Sequence, residues 1–228
     1  MFPHSLAACR NISGSYTDWK PNMSLHETRS QYIVDTMNQV KSLLADGVTV
    51  ETLNQAKAAL EELAGNRSLF PESDFPWPTG DEEDNCFCLH RDADGRYALY
   101  IDLINKGVST VPHDHGDSWA IVTCIEGQEK HRLYKRIDYN TGPGPAKLEL
   151  AGEITISPGE SVSLLVGGIH AIEAVRSDRS MMLHCYGLEF EQQTSRLEYD
   201  EASGSCGHSI DAAGVIQDFP LHPSVMPG

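Results

Sequence analysis

Apolar residues recur along this chain at two different spacings, helical before residue 70 and strand-like after residue 84. Between Leu25 and Ala45, the residues Ile33, Met37, Val40, Leu43 and Leu44 fall on one helical stripe, which predicts an amphipathic helix. Thr49 then stands as an N-cap to a second helix, with Leu53, Ala56, Leu60 and Leu63 on one face and Gly65 as its stop. The two form a helical hairpin whose apolar faces need a larger partner, so it reads as a brace or a dimer contact. Residues 1–25 carry no period and contain Pro3, Gly14 and Pro21, the pattern of an irregular arm. The stretch from Phe70 to Asp84, with Pro71, Pro76, Pro78 and Gly80, is a linking loop.

Beyond it come short β-rich runs at Phe87 to His90, Tyr97 to Leu103, Trp119 to Glu126, His131 to Ile137, Ala146 to Leu150, Gly152 to Ile156, Ser161 to Val166, His170 to Val175 and Met181 to Tyr186. Turn signals such as Asp94-Gly95 and Ser157-Pro158-Gly159 separate them. Many short strands joined by tight turns predict a sandwich or barrel. From Glu201 the chain returns to glycine, serine and proline, so the expected organisation is an arm and hairpin over 1–80, a β domain over 81–200 and a peripheral tail over 201–228.

The 228 residues carry a formal net charge of -16 and no basic patch, which argues against nucleic acid and anionic membrane surfaces as partners. No basic start followed by an apolar run opens the sequence, and no apolar stretch is long enough to cross a bilayer, so the expectation is a soluble, cytoplasmic protein. Six scattered cysteines suit free thiols in a reducing compartment better than a disulfide framework. Cys86-x-Cys88 lacks the second close pair that a structural zinc site needs.

The candidate chemistry lies between Gly107 and Gly127, expected as a strand-turn-strand hairpin. Alternation along a strand would project His113 and His115 the same way, where both imidazoles can bind one cation. On its own, a His-x-His pair on a strand is weak evidence for a metal, because such residues also satisfy hydrogen bonds on a polar face. The spacing from Gly107 through His113, His115 and Gly127, with His170 after Gly167-Gly168-Ile169, resembles the cupin superfamily over roughly Tyr97 to Asp200. That resemblance implies an all-β double-stranded β-helix, or jelly-roll barrel, carrying the N-terminal helices as an extension. It also implies a metal held by His113, His115 and His170. The glutamate that commonly follows as a fourth ligand is absent, Ala120 standing in its place, so the donor set is neutral and leaves a divalent ion its full charge. Glu126 and Glu129 lack the spacing of a substitute ligand and read as surface charge.

A three-histidine site resembles that of the thiol dioxygenases, the cysteine dioxygenase-like cupins. Leu183-His184-Cys185-Tyr186-Gly187 is similar to their histidine-x-tyrosine strand, and Gly168-Ile169-His170 with Glu173 to their third-ligand segment. The likeness implies Fe(II) as cofactor, a small thiol and O2 as partners, and a catalytic hydrogen-bond pair of Tyr186 and His184. Ala120 stands where some relatives carry a cysteine cross-linked to the tyrosine, and Met182 replaces the serine that extends the tyrosine-histidine chain. Within the family, His113-Asp114-His115 with Trp119, and the segment Arg196-Leu197-Glu198-Tyr199-Asp200, resemble the 3-mercaptopropionate dioxygenase branch. This implies Arg196 as the clamp on a substrate carboxylate and Trp119 as a wall of its pocket, Arg91 and Arg96 being other nearby cations. Two other readings stay open: cleavage of carbon-carbon bonds in diketone-like substrates, which other three-histidine cupins perform, and a non-enzymatic ligand-binding cupin.

Overall fold

A computed structural model describes residues 23–80, 84–175, 179–209 and 216–226. The arm expected over residues 1–22 lies outside them. Helices α1 (Leu25–Leu44) and α2 (Val50–Gly65) form where the apolar stripes predict. Ser24 caps α1 by accepting from Glu27 N at 3.1 Å, and Thr49 with Thr52 closes a reciprocal capping box on α2.

The strands are β1 (Asp84–His90), β2 (Arg96–Asn105), β3 (Ala120–Glu126), β4 (Glu129–Arg136), β5 (Gly144–Pro145), β6 (Leu148–Ile156), β7 (Ser161–Leu164), β8 (Ile169–Ala174), β9 (Arg179–Leu188), β10 (Leu197–Asp200), β11 (Ser205–His208) and β12 (Ile216–Asp218). The runs expected separately on either side of Ala151 are one continuous strand, β6, paired with β4 across a bulge at Leu133 and Tyr134. One sheet runs β12-β1-β2-β9-β3-β7, a second β6-β4-β8, and a third β10-β11-β5. Isolated bridges at Ser109↔Glu173 and His113↔His170 add the segment before β3 to the free edge of β8.

This order identifies the fold. Counting β2, the 109–113 segment, β3, β4, β6, β7, β8 and β9 as successive core strands, one sheet pairs first with eighth, eighth with third and third with sixth. The other pairs second with seventh, seventh with fourth and fourth with fifth. That is the double-stranded β-helix of the cupin fold. One aspect of the expected all-β fold is corrected: helix is a substantial part of the described chain. Among the described strands, hydrogen bonding runs in three sheets.

The large sheet is buried on both faces. Leu99, Ile101, Leu103, Ile121, Leu183 and Cys185 pack against α1 and α2, whereas Ala98, Tyr100, Ala120 and Tyr186 face the interior of the β-helix. Strand alternation therefore appears in the sequence as near-continuous apolar runs, most clearly in β9. Arg29, buried in α1, donates to Leu69 O and Asp74 Oδ2, each at 2.8 Å, and its guanidinium lies 5.0 Å and 4.5 Å from the ring centres of Phe75 and Phe219. Phe219 arrives there because β12 runs parallel to β1 and its own N–H bonds Cys88 O at 2.9 Å. Among the described residues, no helix is long and apolar enough to cross a membrane.

Candidate metal centre

The segment carrying His113 and His115 is held from both sides by backbone bonds. Toward β8, His113 N donates to His170 O at 2.7 Å and His170 N returns a bond to His113 O at 2.9 Å. Toward β10, Asp114 N donates to Leu197 O at 3.1 Å and Tyr199 N to Pro112 O at 2.8 Å. The expected hairpin between Gly107 and Gly127 is thus corrected in its first arm, an extended segment with isolated bridges rather than a regular strand. Alternation survives: Asp114 points away from the histidines and accepts from Gly116 N at 2.9 Å, Leu197 N at 3.0 Å and the Tyr199 hydroxyl at 3.0 Å. Gly116, at φ 57, completes the turn; a Cβ there would meet Ser195 Oγ and come within 2.9 Å of Arg196 N. Its bareness is what lets the Arg196 segment lie against the histidine segment.

His113, His115 and His170 converge with ligand atoms within 4.8 Å of one another, all buried. Ring centres are 5.3 Å (113 to 115), 4.6 Å (113 to 170) and 5.2 Å (115 to 170) apart. His113 Nδ1 stands 2.9 Å from Val111 O, an atom that only accepts, so Nδ1 carries the proton and Nε2 presents a lone pair. His115 Nε2 and His170 Nε2 face each other at 3.1 Å. Two imidazole nitrogens bound at right angles to one ion at about 2.1 Å would be about 3.0 Å apart, so the spacing fits a shared metal. Burial holds all three imidazoles well below their usual pKa, with neighbouring cationic groups adding to the effect. Neutral imidazole is the form that binds metal.

One outer nitrogen is also engaged. His170 Nδ1 lies 3.1 Å from His131 Nδ1, whereas His115 Nδ1 has no aligned partner among the described residues, the Gln193 side chain standing nearby. Neither His131 nor Gln193 stood out in the sequence. Glu129 requires a correction: expected on the surface, it is 0% exposed, with Oε1 3.0 Å from His131 Nε2. Its side chain points inward because β4 alternates buried Glu129 and His131 with the more exposed Lys130 and Arg132. Glu126 does sit at the periphery, bonded by Arg67 Nε at 2.9 Å. Glu173 is likewise peripheral, 3.4 Å from Lys130 and 3.0 Å from Arg132.

Tyr186 and His184 lie beside the cluster. The Tyr186 hydroxyl is 2.8 Å from His184 Nδ1, and its ring centre is 4.9 Å from that of His115. Burial pushes His184 down to about 4, so the pair is uncharged at neutral pH. Burial raises the Tyr186 phenol, and the charge of Arg196 works against that rise. Arg196 is 7% exposed and its charge is felt at His113, His115, His170, His184 and Tyr186, which brings it to the same end of the fold. Met182 packs with Val122, Cys124 and Val162, so no hydroxyl at that position continues the chain from His184.

Trp119 is not brought to the cluster. It packs on the helix-facing side of the sheet with Ile121, 6.0 Å from the Tyr97 ring centre, and its indole lies against Gly187. Arg91 is an outer residue paired with Asp218 at 3.2 Å and Glu189 at 3.6 Å, and Arg96 covers the Tyr97 ring at 5.6 Å. The five described cysteines are free and buried; burial raises Cys86, and pushes Cys124 up to about 12. A surface groove of about 950 Å³ bounded by α1, the turn after β1 and residues 218–226 shares no residue with the histidine cluster.

The sequence matches no family model and no curated protein. Among solved structures, the chain is similar to KdgF from Halomonas sp., with TM-score 0.40 and 13% identity over 53% of this chain and 92% of that one. It is also similar to the cupin domain of Schizosaccharomyces pombe Cnp3, with TM-score 0.38 and 7% identity over 52% and 74% of the two chains. A third likeness is to the DMSP lyase DddQ from Ruegeria pomeroyi DSS-3, with TM-score 0.36 and 15% identity over 52% and 55%. What identifies the fold is the strand order described above, and what marks the site is the convergence of its three imidazoles.

Proposed function

We propose that this chain is an Fe(II)-dependent thiol dioxygenase that oxidises a small thiol carboxylic acid, such as 3-mercaptopropionate, to the sulfinic acid with O2. The observation that carries the proposal is the neutral, buried donor set of His113, His115 and His170, which among the described residues includes no carboxylate. A divalent ion held by three imidazoles keeps its full charge and therefore favours an anionic ligand such as a thiolate. Ferrous iron, when bound there, supplies the redox chemistry that brings dioxygen to sulfur. The reaction balances without a further reductant: sulfur gives four electrons, dioxygen accepts four, its O–O bond breaks, two S–O bonds form, and the thiol proton leaves with the sulfinic acid.

The chain's own residues bind and orient. Arg196 holds the substrate carboxylate through two parallel hydrogen bonds, an arrangement for which a planar guanidinium is suited. Its burial supports that role, because a desolvated cation gains more from an anionic ligand than an exposed one. With His184 Nδ1–H donating to the phenol oxygen 2.8 Å away, the Tyr186 hydroxyl is free to donate toward the oxygens that develop on sulfur.

The test is oxygen uptake by iron-loaded protein with a panel of thiol acids, paired with Arg196→Ala. The expected result is uptake matched by sulfinate, with KM for the thiol acid raised by about 10–100-fold in the variant. No uptake across the panel, with iron bound stoichiometrically, would remove the assignment. Uptake with a neutral diketone that Arg196→Ala leaves unchanged would favour carbon-carbon cleavage instead.

A further inference from the structure

We propose that Glu129 and His131 are positioning residues for the metal centre, forming with His170 a buried carboxylate-imidazole-imidazole relay that fixes how His170 presents its Nε2. The inference rests on reading the three histidines as metal ligands, and it is independent of which substrate is oxidised.

Three observations carry it. His170 is engaged at both ring nitrogens: Nε2 lies 3.1 Å from His115 Nε2 on the metal side, and Nδ1 lies 3.1 Å from His131 Nδ1 on the other. The two rings are almost parallel, 11° apart with centres at 5.4 Å. Beyond them stands a buried carboxylate, Glu129, whose ion-pair contact among the described residues is with His131. Glu129 is 0% exposed, neither of its oxygens has an aligned hydrogen-bond donor among the described residues, and its Oε1 lies 3.0 Å from His131 Nε2, with Asp102 and His184 also within its electrostatic reach. His131 Nε2 likewise has no aligned partner. The pair meets at hydrogen-bonding distance but off-line, so the contact is first electrostatic. An acid buried without compensation is costly, and one that survives in a core answers to a nearby donor or charge.

One proton arrangement fits the contacts of the row. A metal bound by the cluster would take the lone pair of His170 Nε2, leaving the His170 proton on Nδ1. That N–H donates to His131 Nδ1, leaving the His131 proton on Nε2, directed at Glu129. The carboxylate end of the row then strengthens His170 as a donor through one hydrogen bond, between His170 and His131, and the electrostatic contact of His131 with Glu129. The other two ligands lack this: His113 Nδ1 ends on the carbonyl of Val111 and His115 is flanked by the Gln193 amide. Among the described residues, His170 is thus the one ligand of the three whose donor strength is tied to a carboxylate.

The test uses the full chain loaded with Zn(II), Co(II) or Fe(II), comparing wild type with Glu129→Gln, which keeps shape and removes charge, and His131→Ala. Chelator competition is expected to show a 10–100-fold weaker metal affinity in Glu129→Gln. The Fe(III)/Fe(II) potential is expected to rise, since a weaker donor stabilises the ferric state less, and the Co(II) absorption bands to shift. In the Zn(II) form, 15N-histidine NMR is expected to find His170 protonated at Nδ1 and His131 at Nε2. Glu129→Asp is expected to recover part of the affinity that Glu129→Gln loses, a rescue that mere filling of the core would not give. Wild-type affinity, potential and spectrum in Glu129→Gln, or a His131 protonated at Nδ1, would overturn the relay. Wild-type protein that binds metal with the relay intact yet oxidises no thiol would sink the proposed activity alone.

Discussion

Asp114→Ala offers the sharpest test of how the centre is held together, because this carboxylate ties the turn that follows it and β10 to the histidine segment. It accepts from Gly116 N, Leu197 N and the Tyr199 hydroxyl at 2.9 Å, 3.0 Å and 3.0 Å. Two of those donors, on Leu197 and Tyr199, belong to buried residues, with 4% and 3% exposure. Each buried donor left without an acceptor costs about 1–3 kcal/mol, so with partial relaxation the substitution destabilises the fold by about 3–5 kcal/mol. The same bonds set the spacing between His115, one residue before Gly116, and Arg196, one residue before Leu197. Their loss is therefore expected to weaken metal binding by about tenfold as well. Urea denaturation of metal-free and Zn(II)-loaded protein reads the first effect, and chelator competition reads the second. Asp114→Asn, which keeps one accepting oxygen, should fall between. A midpoint and an affinity for Asp114→Ala both indistinguishable from wild type would refute the reasoning.

Three further outcomes are expected. Burial holds His184 down to about 4 and keeps His113, His115 and His170 well below their usual range, so between an ordinary histidine pKa of about 6.5 and those values the unfolded chain binds more protons than the native one. Stability of the metal-free protein is then full above that window and falls as pH drops through it, by up to about 1.4 kcal/mol per pH unit for each histidine; urea midpoints flat from neutral pH down to the acid end would contradict this. Tyr186→Phe is expected to lower kcat about 10–100-fold while leaving KM for the thiol acid and metal content near wild type, as measured by steady-state oxygen uptake. Arg29→Ala removes the bonds to Leu69 and Asp74 and the stacking on Phe75 and Phe219, and is expected to cost roughly 2–4 kcal/mol and free the C-terminal segment to protease, as seen in thermal melts and limited proteolysis.

Much of this was legible in the chain. Helical spacing located both helices, and Thr49 marked the start of the second because its side chain and that of Thr52 cap each other. The core strands stood out because a sheet covered on both faces concentrates apolar residues. What escaped had a physical cause in each instance. Strands β10 to β12 are short and rich in polar residues; β10 and β11 pair as a hairpin, and β12 pairs with β1, far away in sequence, so no local period announces them. Trp119 sits one residue ahead of the inward-facing Ala120, and a single step along a strand reverses the face. Glu129 and His131 were masked by their neighbours Lys130 and Arg132, which give the segment the look of a solvated strand. The available signal was the alternation itself, an acid and a histidine on one side and two cations on the other.

The reciprocal backbone pairing of His113 with His170 has a consequence for how such a protein comes to hold the right ion. Fifty-odd residues separate the partners, and Arg196 follows later still. A nascent chain on the ribosome presents His113 and His115 long before the third donor has been translated. Ion capture with full affinity must therefore wait for the finished β-helix, which makes the choice of metal a property of the assembled cage and of the ions available around it, not of whichever cation first meets the emerging polypeptide.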